Sequence, residues 1–452
     1  MKKRWLAMSL VFALVLSLCG CTARSIQNTG DGSAQTEPRS VEGSADHSAA
    51  EHSENASALV SAPVQYPELP RDYEERWKVL EDNPVEEDFL RGMNLFAQQT
   101  TRQVLSEEGG CWSPLSLYYA LALAAEGAQG ETQSQLLTLL GTDAEKLGEQ
   151  CGHLFRRLYA DSEEGALLVA NSLWMDDEVG GIPVRFREEY LKKAGEQYFS
   201  SLFTVDFSDS AAGGKIGDWV EENTRKKLRF EPEANDAQIL AILNAIYYKS
   251  AWVDAFSENQ TKPDTFRRSD GTEQTADFLH QTRNGVCVKG DGYLFASLPL
   301  TDGAQMNFCL PDEGVDLRSL LEDPRLFAAP DRSQGKECEL HWSVPKFTQD
   351  SHWSPKEALE TLGVTTAFTG DADFSGMTDA AACITDIQQG THIGVDENGV
   401  EAAAYTYISM ETTGALPEEL EVVEMNLNRP FFYTITTEDG VVVFAGIVES
   451  VE

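Results

Sequence analysis

The side chains that usually perform catalysis do not form a known motif in this sequence. It contains no Gly-x-Ser-x-Gly turn, no His-Glu-x-x-His pair and no glycine-rich phosphate loop. Five histidines in the body of the chain have no acidic or cysteine partner at a telling spacing: His153, His280, His341, His352 and His392. We interpret them as structural and expect no catalytic residue, no cofactor and no bound metal.

The most distinctive pattern runs from Val395 to Pro417, where the residues alternate from Val400 onward. One alternate set is uncharged: Val400, Ala402, Ala404, Thr406, Ile408, Met410 and Thr412. The other set carries both glutamates and both tyrosines: Glu401, Ala403, Tyr405, Tyr407, Ser409, Glu411 and Thr413. Successive side chains of a strand point to opposite faces, so the first set can be buried while the second faces water. The pattern favours a strand, but the alanines are also compatible with a helix start or a loop.

Residues 396–406 resemble the hinge of the reactive-centre loop in inhibitory serpins. The family pattern is Glu, any residue, Gly, a small residue, Glu and then alanines, and this chain has Glu-Asn-Gly-Val-Glu-Ala-Ala-Ala from Glu397. The hinge residues that the resemblance implies are Glu397, Gly399, Val400, Glu401, Ala402, Ala403 and Ala404.

Other segments between residues 89 and 448 resemble the same family. Ser113 is a natural N-cap, and Pro114 suits the first position of an apolar helix that ends near Gly127. This helix resembles the central buried helix of serpins, and residues 239–252 resemble a core strand of their large sheet. The resemblance implies an α+β, single-domain serpin fold, with helices packed around a large central β-sheet and two smaller sheets, and with an exposed reactive-centre loop.

The resemblance also implies a mechanism. In inhibitory serpins a protease cleaves the loop and forms an acyl-enzyme, and the cut loop then inserts into the central sheet and distorts the protease. The family spacing from Glu397 places the reactive bond between Thr413 and Gly414, with Met410 and Leu416 as alternatives. A small β-branched residue before the bond suits elastase-like, subtilisin-like or papain-like proteases. We expect these proteases as partners of a monomer, and a non-inhibitory binding or scaffold serpin is the alternative function.

Two control regions of the serpin sheet can be matched residue by residue. Trp252 matches the tryptophan at the top of the sheet, where insertion begins, and Ser113, Ser116 and Asn244 match the region where the strands part. Gln389 stands where the family usually has a histidine that bonds to the asparagine, so we expect a bridge from Gln389 to Asn244. All five are also compatible with a packing role alone.

The N-terminus predicts export. A basic start and an apolar run ending at Cys21 resemble a bacterial lipobox, so we expect a signal peptide over residues 1–20 and acylation of Cys21. An ordinary signal peptide with two chance cysteines is the alternative. Residues 21–76 are read as the lipidated end and a flexible tether, and residues 77–452 as the serpin domain. The acyl chains would hold the protein on the outer side of a bacterial membrane.

The net charge of −39 argues against a nucleic-acid partner and against adsorption to an anionic bilayer. Six cysteines remain beyond Cys21, and none forms a Cys-x-x-Cys pair. Disulfides are compatible with export, but the apolar surroundings favour buried thiols.

Overall fold

The computed structural model describes residues 57–179, 181–235, 238–401 and 420–451. Within these ranges the chain forms nineteen strands: β1 (Ser57–Leu59), β2 (Gly110–Trp112), β3 (Ala160–Asp161), β4 (Ala166–Asp176), β5 (Glu178–Val179), β6 (Ile182–Pro183), β7 (Ser200–Val205), β8 (Leu240–Ala251), β9 (Lys262–Arg267), β10 (Glu273–Lys289), β11 (Tyr293–Pro299), β12 (Gln305–Pro311), β13 (Lys336–Pro345), β14 (Phe347–Trp353), β15 (Asp386–Val395), β16 (Gly399–Val400), β17 (Glu421–Asn426), β18 (Phe431–Thr436) and β19 (Val442–Val448).

The same ranges contain nine α-helices: α1 (Tyr73–Asp82), α2 (Glu87–Val104), α3 (Pro114–Gly127), α4 (Gly130–Leu140), α5 (Ala144–Leu158), α6 (Glu188–Gln197), α7 (Ala212–Asn223), α8 (Leu317–Leu320) and α9 (Lys356–Thr361). None of the helices in these described ranges has both the length and the apolar character that crossing a bilayer requires.

Eight strands form a mixed central sheet in the order β1-β7-β4-β8-β16-β15-β14, with β3 attached to β4. Strand β8 pairs antiparallel with β4 along ten residues and parallel with β15 along five. Strands β4 and β8 are buried along nearly their whole length, and β8 is the core strand that the sequence predicts over residues 239–252.

A second, nine-stranded sheet contains β17, β13, β10, β11, β12, β18, β19 and β2, with β9 attached to β10. Strand β10 is 17 residues long and pairs with β9, β13 and β11 in turn. This long strand joins the predicted smaller sheets into one hydrogen-bonded ladder, and β5 and β6 form a separate two-stranded sheet.

The helices cover both faces of the central sheet. Helix α3 begins at Pro114 with Ser113 as its N-cap, as predicted, and it is buried on almost every side. Helix α7 packs Ile216, Trp219 and Val220 against the opposite face of β4 and β8. We call the α3 side of the sheet its inner face and the α7 side its outer face. The α+β architecture, with helices packed around a large central sheet, is observed as predicted.

The folded body starts earlier than the predicted boundary at residue 77. Strand β1 pairs with β7, the ring of Tyr66 stacks on Tyr159 at 4.9 Å, and α1 begins at Tyr73. The sequence prediction failed because this proline-rich segment has few apolar residues, and a sheet edge supplies the backbone partners it cannot supply itself. The described residues form one compact unit. The predicted signal peptide and Cys21 lie outside the described residues.

The prediction of buried thiols is correct for part of the set. Cys111, Cys151 and Cys309 are buried free thiols, and Cys383 is a half-buried one. Cys287 and Cys338 instead form a disulfide between β10 and β13, with their Cα atoms 6.5 Å apart. The prediction was wrong for this pair because its 51-residue separation hides that the two strands are neighbours.

Candidate functional site

The candidate site is the seam between β8 and β15 in the middle of the central sheet. At one end the two strands are direct neighbours, with Ala241–Ala245 paired to residues 386–390. Toward the other end β16 lies between them, and Val400 pairs with Ser250 on one side and Val395 on the other. The hinge residues Gly399 and Val400 therefore already form a short strand inside the sheet.

A tight turn carries the chain from β15 back into the seam. The side chain of Asp396 accepts hydrogen bonds from the backbone N–H groups of Asn398 at 2.7 Å and Gly399 at 3.2 Å. Gly399 follows with φ of +155°, which residues with a side chain rarely adopt. Val400 is fully buried on the inner face.

Trp252 lies at this end of the seam, as the resemblance implies. Its indole Nε1 donates to the carbonyl of Asp396 and its backbone N–H donates to the carbonyl of Asn398, both at 2.9 Å. The side chain is buried, so this residue fixes the turn through two donors.

The side chain of Glu397 is held by two residues outside the turn. Its carboxylate accepts hydrogen bonds from Lys346 Nζ and from the Thr261 hydroxyl, both at 2.8 Å. Burial alone would raise the pKa of Glu397, but these donors outweigh it and the pKa lies below its ordinary value. The ionised carboxylate therefore stabilises the turn in its present position.

Glu401 directly follows strand β16 and bonds to three other residues. Its backbone N–H donates to the carbonyl of Gly394 at 2.9 Å, but its φ is +54°. A left-handed conformation of this kind costs a side-chain-bearing residue on the order of 1 kcal/mol. Its carboxylate lies 2.6 Å from His392 Nε2 and 2.6 Å from Lys227 Nζ.

His392 has two acidic partners in the structure that its sequence spacing did not indicate. Its Nε2 meets Glu401 and its Nδ1 meets Asp350 on β14. His341 likewise lies between Glu339 and Glu424. The partners of His392 are 42 and 9 residues away, so only the pairing of β14 with β15 and the return of β16 bring them together. An available signal was the placement of His392 between Gly390 and Gly394 on one face of the strand.

The closed end of the seam differs from the predicted bridge between Gln389 and Asn244. These residues face each other in the parallel register, but Gln389 bonds to Ser113 instead. Its Oε1 accepts from the Ser113 N–H at 3.0 Å and its Nε2 donates to the Ser113 carbonyl at 2.9 Å. Asn244 donates to Asn171 on β4. The prediction was wrong because the N-terminus of α3 presents a backbone donor and acceptor within reach of the amide.

The two serines of this region lie at the start of α3, and both are fully buried. The Ser113 hydroxyl donates to the carbonyl of Val443 at 2.7 Å and caps the helix by accepting from the N–H of Ser116. Ser116 Oγ and Asn244 Oδ1 are among the buried polar atoms that have no hydrogen-bond partner within the described ranges. The predicted hinge residues Ala402, Ala403 and Ala404 and the predicted reactive bond Thr413–Gly414 lie outside the described residues.

The described residues contain no group of three or more His, Cys, Asp or Glu side chains placed to hold a metal ion.

The fold and the seam together define a class of protein, in which a mixed central sheet is parted at one end by the start of a loop. Solved structures share this fold. Serpin48 of the insect Tenebrio molitor is 27% identical, with a TM-score of 0.72 over 81% of this chain and 99% of its own. The native thermophilic serpin tengpin is 24% identical, with a TM-score of 0.74 over 87% and 100%.

Sequence relatives agree with the structural neighbours. Iris of Ixodes ricinus is 30% identical over 352 residues, covering 74% of this chain and 90% of its own length. Alpha-1-antichymotrypsin of Pongo abelii is 27% identical and covers 79% and 89%. The family model described as "Serpin (serine protease inhibitor)" matches residues 91–451. The chain belongs to the serpin family, whose members are generally protease inhibitors rather than enzymes, although some are non-inhibitory.

Proposed function

We propose that this serpin is an irreversible suicide-substrate inhibitor of serine endopeptidases, and of papain-like cysteine proteases with the same bond preference. The observation that carries the proposal is the position of Gly399 and Val400. They already occupy the first two places of a strand between β8 and β15. Cleavage of the loop after this point would free the following residues to continue the strand.

The residues of the seam fit that continuation on the inner face. If both registers of β16 are extended, Ala402 would lie between Tyr248 and Ile393, which are buried. Thr406 would lie between Asn244 and Gln389, and its hydroxyl could donate to the unpartnered Asn244 Oδ1. The uncharged alternate set of the loop would therefore meet a buried face, and Thr406 would offer a donor to the open acceptor Asn244 Oδ1.

On the outer face, the sizes of the loop side chains would complement those of the β15 residues opposite them. On β15 the residues at alternate places are Gly394, His392 and Gly390, and on β8 they are Lys249, Tyr247 and Ala245. The extended register sets these three levels opposite Glu401, Ala403 and Tyr405. A large loop residue thus faces a glycine at two levels, and the small Ala403 lies between His392 and Tyr247.

A matched pair of variants tests the proposal. Ala402→Glu places a carboxylate on the inner face, where an unpaired buried charge costs roughly several kcal/mol. Ala403→Glu makes the same change one residue later on the outer face, beside His392. With subtilisin or an elastase-like protease, we expect the wild type and Ala403→Glu to form a covalent complex that survives SDS. Ala402→Glu should be cleaved without trapping the protease.

Two results would contradict this proposal. Equal complex yields from Ala402→Glu and Ala403→Glu would rule out insertion in the inferred register. Cleavage of the wild type with no complex at all would favour the non-inhibitory alternative, a serpin that acts as a binding or scaffold protein. Mass spectrometry of the released C-terminal fragment identifies the bond. Our proposal is Thr413–Gly414, and a fragment beginning after Met410 or Leu416 would revise it.

We further propose that the protein is exported and held as a monomer on the outer side of a bacterial membrane by acyl chains on Cys21. The support is the basic start, the apolar run and the small residues before Cys21. In a bacterial host, labelled palmitate should enter the wild type but not Cys21→Ser. Equal labelling of both proteins would refute acylation at this position.

A further inference from the structure

We propose that His392 and Lys227 are positioning residues that hold the hinge at Glu401 and thereby set the rate at which the loop can insert. This inference rests on the proposed insertion function and deepens it. Glu401 forms ion pairs with His392 and Lys227, and His392 also pairs with Asp350. We call these four residues the hinge latch.

The hinge latch spans four elements across the outer face of the sheet. Glu401 directly follows β16, His392 is on β15, Asp350 is on the neighbouring strand β14, and Lys227 follows α7. The side chains of Glu401 and His392 are only 10% and 13% exposed, whereas Lys227 is 40% and Asp350 65% exposed. The inner pair is thus shielded from water, so its charges interact more strongly than a surface pair.

The latch also holds the segment that blocks the next part of the seam. Directly after Lys227, Leu228 lies over Gly390, where an added Cβ would be 3.3 Å from Leu228 Cδ1. Leu228, Gly390 and Ala245 line one cavity of about 290 Å³. The extended register of β16 places Tyr405 between Gly390 and Ala245. Leu228 therefore occupies the place that Tyr405 requires, and the ion pair from Lys227 to Glu401 keeps it there.

The charged neighbourhood gives the latch a pH dependence. The Glu401 bond raises the pKa of His392 above its ordinary 6.5, against the effect of burial, and Asp350 raises it further. Burial alone would raise the pKa of Glu401, but His392 and Lys227 lower it. The other titratable or charged side chains facing this site are Tyr247 on β8, Arg225 over the Tyr247 ring at 5.3 Å, and His352 on β14.

Both members of the inner pair are charged between the lowered pKa of Glu401 and the raised pKa of His392. As pH rises through the pKa of His392, the imidazolium loses its charge and the latch weakens. Insertion should therefore be slowest near pH 6 and should become about tenfold faster by pH 9, because a hydrogen bond between charged groups is stronger than one with a neutral partner.

The test uses no protease, so it is independent of the covalent-complex assay. An acetylated peptide with the sequence of residues 402–413 is incubated with the intact protein at pH 5.5 to 9, and its annealing rate is followed by native electrophoresis. His392→Gln keeps a hydrogen-bonding side chain without the charge. In this variant the rise of the annealing rate between pH 6 and pH 9, which we call the pH step, should disappear. Asp350→Asn should move the step to lower pH. Lys227→Met should anneal faster at pH 6, and Lys226→Met, which changes the neighbouring exposed lysine, should match the wild type.

A wild-type rate that is constant between pH 6 and 9 would overturn the inference, as would a pH step that persists in His392→Gln. A peptide that anneals to none of these proteins at any pH would also overturn it, because the latch would then control no open seam. If the pH step is found while no protease complex forms, the hinge latch stands and the proposed inhibitory function fails.

Discussion

The substitution Gly390→Val tests the register of the inserted strand, because it should destabilise the inserted state more than the intact protein. Gly390 is on the outer face of β15 at the closed end of the seam, and its φ is not positive. A β-branched residue suits this backbone. In the proposed inserted state the same position faces the ring of Tyr405, so the two states should respond differently to one added side chain.

The expected magnitudes follow from the contacts. In the intact protein an added Cβ has one neighbour within 4 Å, Leu228 Cδ1 at 3.3 Å, and this end of a flexible side chain must shift to admit the valine, so we expect a loss of stability of about 1 kcal/mol. In the inserted state the valine methyl groups would overlap Tyr405, and overpacking of this kind costs roughly 1 to 3 kcal/mol. At about 1.4 kcal/mol per factor of ten, insertion should slow roughly 5- to 150-fold relative to hydrolysis of the acyl-enzyme.

The assay is the number of inhibitor molecules consumed per protease molecule inactivated, with the melting temperature of the intact variant as a folding control. We expect this number to rise for Gly390→Val and to return toward the wild-type value in the double variant with Tyr405→Ala. Gly370→Val is the matched control, since an added Cβ there meets nothing within 4 Å. An unchanged number for Gly390→Val, or no rescue by Tyr405→Ala, would refute the register.

Two further predictions concern stability and covalent structure. The pKa of Glu397 is lowered in the folded protein, so the stabilisation from its carboxylate should be complete above its ordinary pKa of 4.5 and should disappear as pH falls through the lower folded value. The melting temperature of the wild type should accordingly exceed that of Glu397→Gln at pH 7, and the difference should vanish in acid; a difference that stays constant down to pH 3 would contradict the assignment. The disulfide between Cys287 and Cys338 leaves four of the six body cysteines free, so a thiol reagent should label four in the unfolded, unreduced body and six after reduction; six labels without reductant would contradict it.

The sequence predicted the apolar elements well. The mostly apolar strand β8 and the capped helix α3 were predicted nearly at their observed bounds, because burial on both sides leaves a nearly continuous apolar run. Strand β10 carries Thr, Asp, His, Gln, Arg and Asn over 17 residues, and no apolar run marks it. Its strand conformation depends on pairing with β9, β13 and β11, which local patterns do not contain.

The candidate site also has one part that the sequence predicted and another that only the structure revealed. The residues from Glu397 to Ala404 were recognised by their resemblance to the serpin hinge, whereas their alternation alone favoured a strand without excluding a helix start or a loop. The partners of those residues were not: Lys346, Lys227, His392 and Asp350 reach the hinge from other strands and loops. Gln389 likewise bonds to Ser113 rather than to Asn244. Both partners offer a donor and an acceptor, and the direction of the Gln389 side chain in the fold decides between them. The sequence by itself therefore determined which segment could become a strand, and only the tertiary structure decided where that strand stops and which charges hold it, because those depend on contacts between residues distant along the chain.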